Sequence, residues 1–501
     1  MLMTDYLELG SLHLDDLYDL PSSTLYRFLK PLKKEEYADN ERIVFYNYGK
    51  INNDVLDHLY QMLLNIDIPE FFILIISNQL STVDYLKDKI PVQLVNYPEQ
   101  VSKAKSIHFN TYNNYCAYAW AGIHVFPDGS VRPCCDANEF ISKPDGTLYN
   151  INESGIDEII NSDWMKNLRH EFRTGVKPSP CSQCFNREKF GLESRRSIAP
   201  YKLENIYGKI NWEDEGQLMY FGAHLGNVCN LKCRICSENF SSSIANELMS
   251  ELPAENRKNS SYYKILKASE WVFDPSFWND LKEKSSTIKN FEILGGEPLI
   301  LKENNKFVEW LVDTNQSQDV CFYFTTNGTQ YPKFLDTVNN FKRMEITVSI
   351  DNINERFEYE RYGANWNVVE NNVKKLIQKQ NSGNFLKIDH CITVNIQNAY
   401  YLPEIIEWSN SIGFNSYYIN YVTIPIELSF NALTSAAKEL ILTKLTKLNV
   451  NSKLDSIINA IRASGTSDGA AFYKTMKHLD QLRNQNFSDL YPEIAKAMGY
   501  R

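Results

Sequence analysis

Apolar residues recur along the chain either in short continuous runs or with helical spacing. Near the amino terminus, three runs predict buried strands at Ile43–Tyr46, Phe71–Ile76 and Val92–Val95. The spacing of apolar residues in Val55–Leu64, between the first two runs, predicts a helix. This alternation predicts a small accessory α/β domain over residues 1–105. No Gly-rich phosphate loop follows any of these strands, so the pattern gives little support for nucleotide binding there.

The next segment, residues 106–200, combines a tight turn with a helix. Alternating apolar residues flank the pair Asp128-Gly129 within Ile123–Pro133, a pattern typical of a β-hairpin. Helical spacing follows in Ile156–Arg169.

Strand and helix patterns alternate regularly over residues 211–430. The strand candidates are Met219–Leu225, Phe291–Leu294, Val320–Phe324, Glu345–Ile350, Phe385–Asp389 and Ser416–Tyr421. Helical segments such as Asn305–Val312 and Val368–Ile377 separate them. Repeated strand–helix units predict parallel strands with right-handed crossovers. Residues 431–501 are predicted to form a helical extension, with amphipathic helices at Leu433–Leu445 and Phe472–Leu482.

Composition adds limits to this picture. A length of 501 residues with 43% hydrophobic and 23% charged residues is typical of a globular protein of two to four domains. The chain has 62 acidic against 52 basic residues and no dense Lys/Arg stripe, which argues against a nucleic-acid partner. The amino terminus lacks the pattern of a signal peptide, and the longest apolar run is too short to span a membrane. We therefore expect a cytoplasmic protein with reduced thiols.

Cysteine spacing carries the clearest chemical signal. Cys229, Cys233 and Cys236 form a C-x3-C-x2-C pattern, and three soft thiolates this close can hold one iron–sulfur cluster. A cubane has four irons, so three ligands leave one iron open to bind and reduce a small molecule. The alternatives are a zinc site, which normally takes four ligands, and buried unligated cysteines.

A second cysteine set lies upstream, at Cys116, Cys134, Cys135 and the C-x2-C pair Cys181 and Cys184. One such pair and two distant cysteines complete a four-thiolate site, and spacing alone does not decide between iron and zinc. On an extended strand the two adjacent cysteines would point to opposite faces, so one of them is the expected ligand.

The downstream pattern C-x3-C-x-φ-C, with Ile235 as the apolar residue, resembles the signature of the radical S-adenosylmethionine (SAM) enzymes. In that family the three thiolates hold a 4Fe-4S cluster and SAM chelates the fourth iron. Reduction cleaves SAM to a 5'-deoxyadenosyl radical, which abstracts a hydrogen atom from the substrate. The resemblance implies a partial (β/α)6 barrel over residues 211–430 and a low-potential electron donor of the flavodoxin or ferredoxin type.

The resemblance also implies cofactor contacts in the loops after the strands, where function collects in such folds. After the second strand, Gly295, Gly296, Glu297 and Pro298 resemble the family's GGEP motif, whose backbone meets the amino group of SAM. Polar residues after the later strands are expected to contact other parts of SAM: Asn327, Ser349, Asp351 and Asn395. Arg361 is either a partner for a carboxylate of SAM or substrate, or a solvated surface residue.

The upstream set resembles a twitch domain, the shorter relative of the SPASM domain, which holds one auxiliary 4Fe-4S cluster. The residues that carry this resemblance are Cys116, the Gly129-x4-Cys134 turn, Cys181 and Cys184. The glycine spacing favours Cys134 as the ligand, with Cys135 as the alternative. The order is unusual because this module precedes the barrel.

These patterns support three hypotheses. The first is a radical SAM enzyme that oxidises a peptide or protein, with the auxiliary cluster accepting an electron, binding substrate or stabilising the fold. The second is the same chemistry on a small polar metabolite, such as a sugar or nucleotide. The third is a non-catalytic electron-transfer or metal-stapled protein, which would need only closed clusters or zinc.

Overall fold

The computed structural model describes residues 6–7, 42–46, 73–77, 92–96, 115–189, 194–213, 216–336, 341–382, 386–448 and 454–500. The chain divides into two compact units, Met1–Tyr115 and Cys116–Arg501. None of the described helices has the length and apolar character needed to cross a membrane.

The first unit contains one parallel sheet among its described residues. Its strands are β1 (Tyr6–Leu7), β2 (Arg42–Tyr46), β3 (Ile73–Ser77) and β4 (Val92–Asn96), and they pair in sequence order. The three predicted strands are confirmed to within two residues at each end. The helix predicted at Val55–Leu64 lies outside the described residues.

The second unit begins with the cysteine-rich segment. Its elements are α1 (Ala117–Ala121), β5 (Gly122–Val125), β6 (Val131–Arg132), α2 (Ile156–Ile160), α3 (Asp163–Arg173), α4 (Ser182–Lys189), α5 (Arg195–Lys202) and α6 (Glu204–Tyr207). The predicted hairpin is confirmed, because β5 and β6 pair antiparallel around a turn in which Gly129 has φ of +83°. A positive φ suits glycine, which lacks a Cβ atom.

The single helix predicted over Ile156–Arg169 is wrong, since the structure has two. Asn161 ends α2, and the side chain of Ser162 accepts a hydrogen bond from Met165 N at 3.3 Å to begin α3. A serine in this position is a preferred helix N-cap, so a second helix begins here.

The strand–helix region then follows in chain order. Its elements are β7 (Tyr220–His224), β8 (Lys232–Cys233), α7 (Ser242–Ser250), α8 (Ala254–Arg257), α9 (Ser261–Ala268), α10 (Pro275–Lys284), β9 (Asn290–Leu294), α11 (Lys302–Asp313), β10 (Cys321–Thr326), β11 (Arg343–Ser349), α12 (Asn354–Glu360), β12 (Arg361–Tyr362), α13 (Trp366–Asn381), β13 (Leu386–Val394), α14 (Leu402–Ile412) and β14 (Ser416–Tyr421). Short 3-10 turns lie at Ser179–Cys181, Ser269–Phe273, Pro298–Ile300, Ser317–Asp319, Lys333–Asp336, Ala399–Tyr401, Ile426–Leu428 and Phe430–Ala432.

One sheet of eight strands organises this unit, in the order β14-β13-β11-β10-β9-β7-β5-β6. All six strands predicted for residues 211–430 are present and parallel. This mostly parallel α/β sheet confirms the predicted fold class. Strand β5 also pairs parallel with β7, so the hairpin of the cysteine-rich segment extends the same sheet.

The two faces of the sheet differ in polarity. Along β11, Met344, Ile346 and Val348 are fully buried, whereas the alternate residues Arg343 and Glu345 are only partly buried. A strand alternates its side chains between two faces, so one face of β11 is buried and apolar and the other is polar and partly exposed.

The carboxyl-terminal helices share one hydrophobic core with strand β13 of the sheet. They are α15 (Ser435–Leu448), α16 (Asp455–Ala463), α17 (Ala470–Arg483), α18 (Phe487–Leu490) and α19 (Pro492–Met498). Phe472 and Ile494 from these helices share one hydrophobic cluster with Ile392 of β13, and Ile235 packs against it. The helical extension therefore contacts the segment that carries Cys229, Cys233 and Cys236.

Candidate cluster and cofactor site

The loop between β7 and α7 carries Cys229, Cys233 and Cys236, all partly exposed. Serines at the start of α7 hold this loop: Ser242 Oγ accepts from Cys229 N at 3.1 Å, and Ser243 Oγ donates to Cys229 O at 2.7 Å. The loop follows the carboxyl end of a parallel strand, the edge where sites form in such sheets.

Hydrogen-bond donors surround two of the three sulfur atoms. Leu231 N lies 3.5 Å from Cys229 Sγ, and Arg361 Nη1 lies 3.8 Å from Cys233 Sγ. Such donors stabilise thiolates and tune bound clusters. In the metal-free chain, burial raises the pKa of the Cys233 thiol to about 12 and that of Cys236 to about 11, so metal binding releases protons.

The glycine pair after β9 lies against the cysteine loop. A Cβ atom on Gly296 would be 2.3 Å from Val228 O, and one on Gly295, which has φ of +137°, would be 2.8 Å from Leu225 N. Glu297 N donates to Val228 O at 2.7 Å. These glycines therefore allow two loops to approach backbone to backbone, a constraint beyond the cofactor contact that the GGEP resemblance implies.

The Glu297 side chain links the Gly295-Gly296 loop to the loop that follows β10. Its side chain is 1% exposed and accepts hydrogen bonds from Thr326 Oγ1 at 2.8 Å, Asn327 N at 2.6 Å and Leu299 N at 3.1 Å. Burial raises the pKa of this carboxyl to about 7, although the three donors oppose the shift. Pro298 begins the short 3-10 turn that follows.

Asn327 connects the third-strand loop to the cysteine motif. Its Nδ2 atom donates to Asn230 Oδ1 at 3.0 Å and lies 4.0 Å from Cys229 Sγ. Thr329 satisfies its Oδ1 atom through both its backbone N and its hydroxyl. The predicted residue is thus at the motif, where it positions Asn230 in the cysteine loop.

Arg361 is 7% exposed, so the surface alternative considered from the sequence is wrong. Its Nε and Nη2 atoms donate to Asp351 Oδ2 at 3.0 and 2.6 Å, and Asp351 Oδ1 accepts from Thr393 N at 2.9 Å. Asp351 therefore acts on this edge by holding Arg361 beside Cys233. Ser349, the other predicted residue of the fourth strand, is partly exposed on the polar face.

Asn395, the predicted residue after the fifth strand of the strand–helix region, is an interior residue. It is fully buried, its Nδ2 atom donates to Glu360 Oε2 at 3.3 Å, and its Oδ1 atom accepts from Gln397 N at 2.8 Å. Asn398 Nδ2 donates to the same Glu360 oxygen at 3.2 Å. Asn395 therefore belongs to an internal network, and its contact with SAM stays a prediction.

The upstream cysteines gather into one group. The pKa of Cys181 is raised far above its usual value, first by burial and then by the nearby charges of Cys116, Cys134 and Cys184. Cys135 is not one of these four residues, and its thiol donates to Asp136 Oδ1 at 3.3 Å.

Cys134 and Cys135 do not lie on an extended strand, so the premise that would place them on opposite faces of a strand is wrong. Strand β6 ends at Arg132, and both cysteines lie in a turn. The turn still separates them, because Cys134 is buried whereas Cys135 is only partly buried.

A histidine pair links the two cysteine-bearing segments. His124 Nε2 of β5 and His224 Nδ1 of β7 are 3.0 Å apart, and the His224 ring stacks on Phe126. Burial lowers the pKa of both, that of His224 to about 4, so both rings are neutral near pH 7. The pair was not singled out from the sequence, because only strand pairing makes the two histidines neighbours.

Across the described residues, no three His, Cys, Asp or Glu side chains converge as they would around a single metal ion. A cluster of several irons, each with its own thiolate, does not require sulfur atoms to converge on one point. The donor set at both places consists of soft thiolates, which suits iron–sulfur clusters.

Comparison with known proteins supports these interpretations. Residues 116–185 match the model of SPASM, an iron–sulfur cluster-binding domain. The match spans Cys116, Cys134, Cys181 and Cys184, and it confirms the predicted iron–sulfur module upstream of the barrel. The GTP 3',8-cyclase of Aliarcobacter butzleri (strain RM4018) is 23% identical over 204 residues, which are 40% of this chain and 55% of that protein. The chain thus spans about half the length of this relative.

Two solved structures are also similar. Native anSMEcpe with bound AdoMet and Cp18Cys peptide is 16% identical, with a TM-score of 0.28, over 48% of this chain and 61% of that one. Streptococcus suis SuiB bound to precursor peptide SuiA is 12% identical, with a TM-score of 0.29, over 69% of this chain and 74% of that one.

Proposed function

We propose that this chain is a radical SAM enzyme, with its catalytic cluster held by Cys229, Cys233 and Cys236. The observation that carries the proposal is the position of these three cysteines on one loop at the carboxyl edge of a parallel sheet, with Arg361 directed at Cys233 Sγ. When bound, the cluster and SAM would supply reductive cleavage to a 5'-deoxyadenosyl radical that abstracts a hydrogen atom from substrate.

The chain's own residues would prepare the site for this chemistry. Arg361 donates toward Cys233, and Asp351 holds the guanidinium in place. Glu297 N holds the Gly-Gly loop against the cysteine loop by donating to Val228 O, and the Glu297 side chain ties the same loop to Asn327 N. These contacts orient the site and limit the access of water, which is the protein's part when a cofactor carries the reaction.

Cys116, Cys134, Cys181 and Cys184 would hold an auxiliary 4Fe-4S cluster. Their mutual electrostatic influence and burial support this ligand set. The cluster would accept an electron during oxidation of the substrate.

A peptide or protein is the proposed substrate class. The support comes from β14, which ends the sheet and carries Tyr418 and Tyr421 at 44% and 49% exposure. Exposed Ile424 and Ile426 follow. A strand at the end of a sheet can pair with an extended peptide through its backbone, and exposed apolar side chains near it can contact the peptide. A small polar metabolite is the second candidate, favoured by the sequence relative whose name denotes GTP.

The test uses the full chain, purified and reconstituted anaerobically with iron and sulfide. With SAM and dithionite, we expect 5'-deoxyadenosine and a SAM-induced change in the EPR spectrum of the reduced cluster. Cys233→Ala should abolish both. Cys321→Ala is the control, because it removes a thiol at the amino end of β10, whereas the proposed cluster lies at the carboxyl edge of the sheet. Product formation at the wild-type rate by Cys233→Ala would refute the assignment.

Substrate class is tested separately by mass spectrometry of peptide and nucleotide pools incubated with the active enzyme. A peptide that changes mass supports the first candidate, whereas a modified nucleotide or sugar supports the second. SAM that leaves the reduced cluster's spectrum unchanged would favour the electron-transfer alternative.

A further inference from the structure

Arg234 connects the cysteine loop to the carboxyl-terminal helices. It is the residue between Cys233 and Ile235 in the motif, and its side chain is fully buried. Its Nη2 atom donates to Asp480 Oδ1 at 2.8 Å and to Gln485 Oε1 at 2.9 Å. A buried charged side chain needs a partner of opposite charge, and for Arg234 that partner lies 246 residues further along the chain.

Asp480 is the centre of this contact. Its Oδ1 atom also accepts from Tyr359 Oη at 2.6 Å, and its Oδ2 atom accepts from Phe487 N and from Tyr500 Oη, both at 2.8 Å. One carboxylate therefore joins α17, the start of α18 and the end of the described chain to the motif.

A second ion-pair chain runs in parallel. Glu247 of α7 accepts from Lys232 Nζ at 3.0 Å and from Arg483 Nη2 at 2.8 Å. Lys232 directly precedes Cys233, and Arg483 is the last residue of α17. Helix α17 thus holds the cysteine loop on both sides of Cys233, directly at Arg234 and through Glu247 at Lys232.

We propose that α17 is a positioning element for the catalytic cluster, with Asp480 as its principal residue. Asp480 fixes the loop segment between Cys233 and Cys236 and balances the positive charge of Arg234 beside their cluster. This inference rests on the radical SAM function proposed above. It gives the carboxyl-terminal helices a role at the active site, where the sequence indicated only an extension.

The electrostatic part follows from the sign of the charges. A buried guanidinium beside a cluster stabilises the reduced form, which carries one more electron, and so raises the reduction potential. The Asp480 carboxylate offsets that effect. Removing Asp480 alone should therefore shift the potential upward, and removing Arg234 alone should shift it downward.

The test compares Asp480→Asn, Arg234→Gln and the double variant in redox titrations of the reconstituted full chain monitored by EPR. Shifts of opposite sign for the single variants, with the double variant near wild type, support the proposal. Equal potentials or shifts of the same sign overturn it, because damage to the loop alone would not reverse sign. Loss of the residues that orient metal ligands typically reduces activity by about 10-fold to 100-fold, so a drop of that size in 5'-deoxyadenosine formation is expected.

Hydrogen exchange in the metal-free chain tests the positioning part without a cluster. Amides 231–236 should exchange about 10-fold faster in Asp480→Asn than in wild type, because a charge-assisted hydrogen bond is lost. Asp489→Asn makes the same charge change at an exposed residue that bonds Asn486, and it is the matched control. Equal protection in the two variants overturns the inference.

If Asp480→Asn does not fold, Tyr500→Phe carries the exchange test, since it removes one donor to the same carboxylate. Faster exchange at 231–236 than in Asp489→Asn supports the positioning role, and equal exchange overturns it. A wild-type chain whose cluster does not respond to SAM would instead refute the proposed function and leave this comparison intact.

Discussion

Gly296→Ala tests whether the Gly-Gly loop is needed for the approach of two backbones. The added Cβ atom would lie 2.3 Å from Val228 O, 2.6 Å from Val228 C and 2.7 Å from Asn227 C. All three are backbone atoms, so no side-chain rotation relieves the clash. Reaching ordinary contact requires a movement of about 1 Å, which lengthens the hydrogen bond between Glu297 N and Val228 O. Overpacking costs about 1–3 kcal/mol. A lost hydrogen bond adds about 0.5–1.5 kcal/mol.

We therefore expect Gly296→Ala to lower the free energy of unfolding by about 2–4 kcal/mol. Urea unfolding of the metal-free chain measures this change. Reconstituted enzyme should also lose 5'-deoxyadenosine formation, since the cysteine loop moves with Val228. Gly208→Ala is the control, because nothing lies within 4 Å of its added Cβ atom. If Gly296→Ala were as stable and as active as Gly208→Ala, the close-approach argument would be refuted.

Three further changes give separate tests. Burial lowers the pKa of His390 from 6.5 to about 4, so its contribution to the free energy of unfolding is full above pH 6.5 and is lost as the pH falls toward 4. Between pH 7 and pH 5, the free energy of unfolding measured in urea titrations should fall by about 2 kcal/mol more in wild type than in His390→Gln. Cys134→Ser should lower the iron content of the reconstituted protein toward one cluster, whereas Cys135→Ser should leave it at two. Arg361→Lys keeps the charge but loses the two-pronged contact with Asp351, so we expect about 10-fold slower SAM cleavage with iron content unchanged.

The strands could be predicted from local pattern because each is a short apolar run, and all six of the strand–helix region are present. The break at Ser162 could have been predicted, since a serine followed by an acidic residue is typical of a helix start. The burial of Arg361 was not predictable from its neighbours in sequence. Its partner Asp351 lies on the preceding strand end, and only the fold shows that the two meet.

The remaining side-chain contacts could not be predicted because they join residues that are far apart in the sequence. The contact between Arg234 and Asp480 joins residues 246 positions apart, and no local periodicity encodes it. The same holds for Asn395, which follows a strand as cofactor residues do but faces an internal network of amides around Glu360. Position after a strand predicts the edge of the sheet at which a residue lies, and not the direction of its side chain.

Pairing between β5 and β7 explains how an auxiliary module can precede its barrel. In sequence, Cys134 and Cys229 are separated by helices α2 to α6. Cys229 follows β7, and Cys134 follows β6, which pairs with β5 on the side away from β7. The His124–His224 hydrogen bond crosses between β5 and β7, in the residues just before the cysteine loop. Because neighbouring strands are about 5 Å apart, the order of modules along the chain does not determine their separation in space. The early position of the iron–sulfur module is therefore compatible with direct attachment to the first strand of the barrel.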